Sequence, residues 1–288
     1  MKKIVLSVAA VMLIVCCSKN EETLPVADSI SASAREFYAT FEDPETKVAL
    51  DEDGTLSWTE GDELSIFTST YNQKYLFSGQ TGDKKGKFEK VDNGEFFASS
   101  TISRNYAVYP YLEGTGMTYD EQIKIVLPSV QSYAENTFGQ GANIMAAVTS
   151  DIEDRFLHFK NLCGYLVIKI FGNASVSSIV LEGHHYEEIS GNATIDFSDG
   201  VRPLLYINPD WQWPEDFQIT LECGNIEIGK TPETATEFWF VVPPVTFGNG
   251  FSIKVTDSNG HVIEQSHSER IEISSNQIKK MEAFLANK

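Results

Sequence analysis

At 288 residues with 42% hydrophobic, 11% aromatic and 22% charged side chains, the chain has ordinary globular proportions and the length of roughly two domains, at about one per 150 residues. A single small stapled domain, a disordered tail protein and a membrane-embedded chain do not have these proportions. The 22 Lys+Arg against 41 Asp+Glu give a net charge of −19, which repels a nucleic-acid backbone or an anionic membrane surface, so no nucleic-acid partner is expected.

The chain opens with Lys2 and Lys3 before an apolar run, Ile4 to Val15, of about twelve residues where a spanning helix needs roughly 20. That pattern is a secretion signal over residues 1–16. Its end, Leu13-Ile14-Val15-Cys16-Cys17-Ser18, resembles a bacterial lipobox, in which a cysteine thiol takes a diacylglycerol. Modification at Cys17 puts Ile14 at −3 and the small Cys16 at −1. The alternative, Cys16, puts bulky Val15 at −1, so Cys17 is favoured. Acyl chains contribute about 0.8 kcal/mol per buried CH₂, and several on one cysteine hold a protein at a bilayer with no spanning segment. Ser18-Lys19-Asn20-Glu21-Glu22 resembles the acidic export signal that sends Bacteroidetes lipoproteins to the outer face of the outer membrane. Residues 17–35, rich in Ser, Ala and acids with Pro25, read as a tether.

Period-two alternation then takes over. Phe37, Ala39 and Phe41 start it, followed by Leu64, Ile66 and Thr68, Tyr75 and Phe77, Tyr106 and Val108, and Ile123, Ile125 and Leu127. Turn signals at Asp53-Gly54, Gly79 to Gly82, Asn93-Gly94 and Gly114 to Gly116 separate these half-buried strands. From Pro128 to about Asp154 the alternation lapses, apart from a weak apolar patch at Ile144 to Val148, and the domain boundary is expected there. The second half restarts at Arg155 to Lys160 and continues through the nearly unbroken apolar Leu162 to Phe171, which suits a central strand. Val176 to Leu181, Ala193 to Phe197, Phe217 to Leu221, Phe238 to Val242, Phe251 to Val255 and Val262 to Glu264 complete it, with Asn259-Gly260 as a hairpin turn. Gln277 to Lys288 leans to a final strand, although Met281 with Phe284 breaks strict alternation. Short strands with no intervening helices predict an all-β chain of two antiparallel sandwiches, residues 36–152 and 153–288.

Of the four cysteines, two fall in the signal; Cys163 and Cys223 lie in apolar strand-like runs. Export permits a bridge between them, and two buried thiols are the favoured alternative. His184-His185 with Glu187 and Glu188 offers metal-ligand types, but adjacent strand residues face opposite ways, so a structural or surface role is expected. Asp51-Glu52-Asp53-Gly54 lacks the spacing of a calcium loop. No phosphate loop, nucleophile elbow or catalytic cysteine pattern occurs, and neither enzymatic activity, a metal nor a cofactor is expected. Trp211 and Trp213, in Asn208-Pro209-Asp210-Trp211-Gln212-Trp213-Pro214, either cap the second sandwich or contact a ligand such as a sugar ring.

The stretch Thr46-Lys47-Val48-Ala49-Leu50 to Trp58-Thr59-Glu60-Gly61-Asp62-Glu63-Leu64-Ser65-Ile66-Phe67 resembles the fimbrillin-like proteins of Bacteroidetes. Tyr106-Ala107-Val108-Tyr109-Pro110-Tyr111, Leu127-Pro128 with Gln131 and Tyr133, Met145-Ala146-Ala147, Phe159 to Gly164, Ile189-Ser190-Gly191 and Lys280 to Phe284 match the family in order. The resemblance implies two tandem transthyretin-like sandwiches on the cell surface, in a structural or accessory component of type V pili that works in adhesion and assembly. Its implied partners are other pilus subunits or host and bacterial surface ligands, with the outer membrane reached through the lipid. In polymerising relatives an Arg-specific protease removes the lipidated first segment, and the groove left behind accepts a strand from the next subunit. Arg35, the only arginine before Arg104, is the corresponding candidate for cleavage. The removed piece here holds only Leu24, Val26 and Ile30 as large apolar side chains besides Pro25, which makes a poor strand. Asp28-Ser29-Ile30 resembles the Asp-Ser/Thr-apolar acceptor that Bacteroidetes use for O-glycosylation, which makes Ser29 a candidate. The alternative function is a glycan-binding surface lipoprotein beside an outer-membrane importer, with Trp211 and Trp213 as its platform.

Overall fold

The computed structural model describes residues 35–42, 56–91, 102–208 and 214–286. The chain is all-β: 22 strands and two short 3-10 turns make up its regular structure among those residues. In chain order the first ten strands are β1 (Glu36–Phe41), β2 (Glu63–Phe67), β3 (Gln73–Phe77), β4 (Lys85–Lys90), β5 (Tyr106–Tyr109), β6 (Gln122–Leu127), β7 (Val130–Ala134), β8 (Thr137–Phe138), β9 (Met145–Val148) and β10 (Phe156–Asn161). The rest are β11 (Gly164–Gly172), β12 (Ser175–Gly183), β13 (Gly191–Asp196), β14 (Leu204–Ile207), β15 (Gln218–Glu227), β16 (Thr236–Val242), β17 (Val245–Phe247), β18 (Phe251–Asp257), β19 (Val262–His267), β20 (Ile271–Ile273), β21 (Ile278–Lys280) and β22 (Phe284–Ala286).

Seven strands close on themselves in the order β1-β10-β9-β5-β2-β3-β4. Closure leaves this barrel no free sheet edge. Its interior is filled from alternate positions: Phe37 and Ala39, Tyr75 and Phe77, Phe88, and Leu157 and Phe159 point inward. Trp58, 1% exposed, sits among them with Phe41, Phe88 and Phe159 at ring-centroid distances of 4.3, 4.8 and 5.6 Å. Trp58 is placed by a turn that needs a positive φ at Gly61 (+91°) and is capped by Asp62, whose Oδ2 accepts the Thr59 N–H at 2.7 Å. The Gly61-Asp62 pair is therefore a turn device that holds a tryptophan in the barrel core.

Three cores lie one behind another. The wall β2-β5-β9 turns Leu64, Ile66, Ala107 and Ala147 into the barrel, and Phe67, Tyr106, Val108 and Ala146 into a second core on its other face. That second core is completed by the sheet β14-β13-β6 and by Tyr165, Val167, Trp239 and Val241 from one face of β11 and β16. The opposite face of β11 and β16 gives Leu166, Ile168, Ile170, Phe238 and Phe240 to a third core, shared with the sheet β19-β18-β12-β15-β7-β8. Burial on both faces explains why Leu162 to Phe171 has no polar alternation: each side of the strand meets a core.

Several expectations change. Pairing is not wholly antiparallel: β1 with β10, β7 with β15, and β11 with both β21 and β22 run parallel. A parallel pair needs a long return path, and here strands rather than helices supply it. The stretch from Pro128 to Asp154 is not a structural gap, because β7, β8 and β9 occupy it. Pairing also crosses the 152/153 line both ways: β10 completes the barrel, while β6 pairs with β13 and β7 with β15. β7 carries Gln131, whose side-chain amide accepts the Val241 N–H (3.0 Å) and donates to the Val241 carbonyl (2.7 Å), acting as one more rung beside β16. The expected last strand comes in two pieces, β21 and β22, interrupted at Met281–Ala283.

Candidate functional site

Cys16, Cys17, Ser29, Trp211 and Trp213 lie outside the described residues; Arg35 lies within them. Arg35 is exposed and immediately precedes β1, and its carbonyl accepts the Lys90 N–H at 2.8 Å. Beyond it the strand is held on both sides. β1 runs antiparallel to β4 and parallel to β10, the Tyr38 N–H donates to the Arg155 carbonyl at 2.9 Å, and Phe37 and Ala39 are fully buried. Glu36 is exposed, and its carboxylate meets the Lys87 ammonium at 2.8 Å on the barrel surface. Chemically, the Arg35–Glu36 bond is a cationic side chain and a peptide link at the rim of a closed barrel. A cut there severs whatever precedes it and leaves β1 paired and its core residues in place.

The second feature is a groove of about 640 Å³ along one side of the third core. Ile168, Phe251, Ile253 and Ile271 form its apolar lining, with His267 and the Met281–Phe284 segment along its walls. It lies between two sheets that both end here. Among the described residues β19 borders only β18, and β21 and β22 border only β11, so each side offers an unpaired strand edge. The ladder along β11 also skips a step: Tyr165 to Val167 pair with β21, Ile170 to Gly172 pair with β22, and Ile168 and Lys169 have no register partner on that side. His267 turns its ring against Phe251 (centroids 5.5 Å apart), and its buried Nε2 has no hydrogen-bond partner among the described residues. An apolar trough between free strand edges can seat an extended chain, with main-chain bonds to an edge and alternate side chains in the trough. The sequence signal for this place was present: the failed alternation at Met281 and Phe284 marks the interruption between β21 and β22.

The other chemical candidates are structural. The His184 ring donates from Nδ1 to the Asn249 carbonyl at 2.8 Å and sets Nε2 3.3 Å from the Ser266 hydroxyl. Glu187 accepts the His185 and Gly248 N–H groups at 2.8 and 3.1 Å, so this carboxylate ties two turns together. Among the described residues no group of three or more His, Cys, Asp or Glu could hold a metal ion. Cys163 and Cys223 are free and buried, in the second and third cores, and burial pushes each thiol up to about 12. Burial also raises the Asp62 carboxyl, against the opposing pull of the Thr59 N–H and of the Tyr109 hydroxyl that donates to it at 3.0 Å.

No protein-family model matches the chain, and no curated protein matches its sequence. Among solved structures it is similar to a candidate cell adhesion protein of Bacteroides ovatus, at 13% identity and a TM-score of 0.49 over 83% of this chain and 87% of that one. A candidate cell adhesion protein of Bacteroides uniformis gives 15% identity and a TM-score of 0.49, over 89% and 94% of the two chains. A fimbrial protein of Bacteroides ovatus gives 13% identity and a TM-score of 0.36, over 88% of this chain and 50% of that one. The structural neighbours are thus adhesion and fimbrial proteins of Bacteroidetes.

Proposed function

We propose that this protein is a surface lipoprotein of the fimbrillin-like class, anchored in the outer membrane through acylated Cys17 and acting without catalysis as a structural or accessory pilus component. Its partners are other pilus subunits, and the contact is strand addition: an extended segment of a neighbouring subunit lies in the groove beside β21 and β22. The observation that carries this reading is that groove, where free edges of two sheets flank an apolar trough beside an interrupted final strand. Arg35 supports it from the other end of the chain. Cleavage there would free the subunit from its lipid and leave the barrel closed. In this reading the two halves, 36–152 and 153–288, build the barrel and the open sheets together, with β10 completing the barrel and β6 and β7 joining the sheets behind it.

Mass spectrometry of the protein recovered from sheared surface fibres and from outer membrane tests the proposal. Fibre-borne chains that begin at Glu36, beside palmitate-labelled full-length chains in the membrane, are the expected result. Acylated full-length chain alone, with none in fibres, overturns the pilus-subunit reading.

A further inference from the structure

A second cavity, of about 380 Å³, opens at one end of the barrel, and every residue of its lining is among those described. β1 and β5 end there at Phe41 and Tyr109, β9 begins there at Met145, and Asp62 stands just before β2. The β7–β8 hairpin and the chain that follows it supply the other side, with Phe138 and Asn143 in the lining. Rings make up much of the wall: the Trp58 ring lies 4.3 Å from that of Phe41 and 5.8 Å from that of Tyr109, between centroids.

The polar side chains buried in this lining are Asp62 and Asn143, 5% and 1% exposed. Asp62 takes one bond on each carboxylate oxygen, from the Tyr109 hydroxyl at 3.0 Å and the Thr59 N–H at 2.7 Å. That is about half of what an ionised carboxylate can accept. Because the Tyr109 hydrogen points to Asp62, the phenol oxygen meets anything else as an acceptor. Asn143 Nδ2 donates to Asn161 Oδ1 at 2.7 Å, and Asn161 Nδ2 donates in turn to Asn276 Oδ1 at 2.8 Å. This leaves the buried Asn143 Oδ1 with no hydrogen-bond partner among the described residues. The lining thus holds one carboxylate and two further acceptors, and no Lys, Arg or His.

We propose that this cavity binds a guanidinium group, carried by a small ligand or by an arginine side chain of a partner protein. Five N–H donors in one plane answer acceptors spread around a pocket, and a guanidinium sheds its weak hydration more readily than an ammonium does. Its charge offsets Asp62, and the rings of the wall attract a cation at their faces. An anion does not suit the site, because it would lie beside a carboxylate with no base to pair with. A sugar suits it less well than a cation. Burial raises the Asp62 carboxyl, so the ionised form lacks compensation, and a hydroxyl supplies a bond without removing the charge. The net charge of −19 draws cations towards the chain as a whole. The cavity shares no lining residue with the groove beside β21 and β22, so its ligand is independent of strand addition.

Calorimetric titration of the full-length chain in detergent with propylguanidine, propylurea and acetyl-Gly-Arg-Gly-amide tests this. Propylurea has the outline of propylguanidine, with a carbonyl in place of the charged nitrogen. Propylguanidine should bind about tenfold or more tighter than propylurea, the low end of what a hydrogen bond to a charged group supplies. Asp62→Asn, which keeps the side chain's shape and removes its charge, should bring the two ligands to equal affinity. On the unsubstituted chain, saturation with propylguanidine should shift the ε-methyl resonance of Met145, a buried lining residue, in an NMR spectrum. That shift and the guanidine-to-urea ratio need no variant, so they decide the matter even if Asp62→Asn fails to fold. Peptide binding as tight as that of propylguanidine identifies the source as a partner's arginine, and binding of propylguanidine alone identifies a small free cation. No binding of either, equal affinity for the urea, an unmoved Met145 methyl, or tighter binding of methyl hexosides overturns the inference.

Discussion

The barrel and the sheets behind it are built from the same material, short alternating strands with Gly- and Asp-rich turns, yet one is closed and the others are open. β1 to β5 with β9 and β10 use every strand edge on one another, and the aromatic cluster around Trp58 fills the interior. The sheets around β11, β18 and β13 end in β21, β22, β19 and β14, each with a single neighbour among the described residues. Closed edges give stability and nothing to bind; open edges give binding at the risk of unwanted pairing. The start of β1 is thus held in a closed barrel, and the free edges among the described residues lie on the open sheets.

The barrel core is the most sensitive place in the molecule. Trp58→Ala should lose about 4 kcal/mol, as expected for removing a buried indole with little room for collapse, and it should lower the denaturant midpoint accordingly. On the open side Gln131→Ala should cost about 3 kcal/mol, because the Val241 N–H and C=O are left buried without partners. An equilibrium unfolding curve distinguishes this from an ordinary surface change. Ala283→Trp should alter stability by no more than about 0.5 kcal/mol, since the position is partly exposed. By filling the groove it should nonetheless deplete the protein from fibres, and unchanged incorporation would remove the groove from the proposed assembly.

The gentlest probe is pH, where the two regions should respond with opposite signs. Asp257, in the β18–β19 hairpin, accepts the N–H groups of His261 and Asn259, and its carboxyl is held down to about 2 from 3.8. A folded value below the unfolded one is stabilising above 3.8, and that gain disappears as pH falls towards about 2. The stability difference between the unsubstituted chain and Asp257→Asn should therefore shrink over that interval. Burial raises Asp62 in the barrel, so its ionised form costs stability as pH climbs above 3.8 and through the raised folded value. Asp62→Asn should thus gain on the unsubstituted chain as pH rises. The same direction at both sites would mean that the two carboxyls share an environment they do not have in this structure.

Strand content and much of the strand placement follow from local sequence. Ile123, Ile125 and Leu127 alternate in the chain and are all buried in β6, because a half-buried strand has a period of two whatever it pairs with. Asn259-Gly260 turns where expected, with Gly260 at φ +81°, and the stretch after Gln277 holds two short strands, β21 and β22. Arg35 was legible as the one arginine before the first strand. The partners of those strands were not legible. Nothing in Phe156–Asn161 says that it closes a barrel beside β1, and Gln131 looked like loop until its amide met Val241 across 110 residues. The groove escaped for the same reason, since its lining comes from β11, β18, the β19–β20 connection and the chain end. Periodicity is local, set by how one backbone exposes alternate side chains. Closure, parallel returns and free edges depend on which distant strands meet, and the tertiary structure alone decides that.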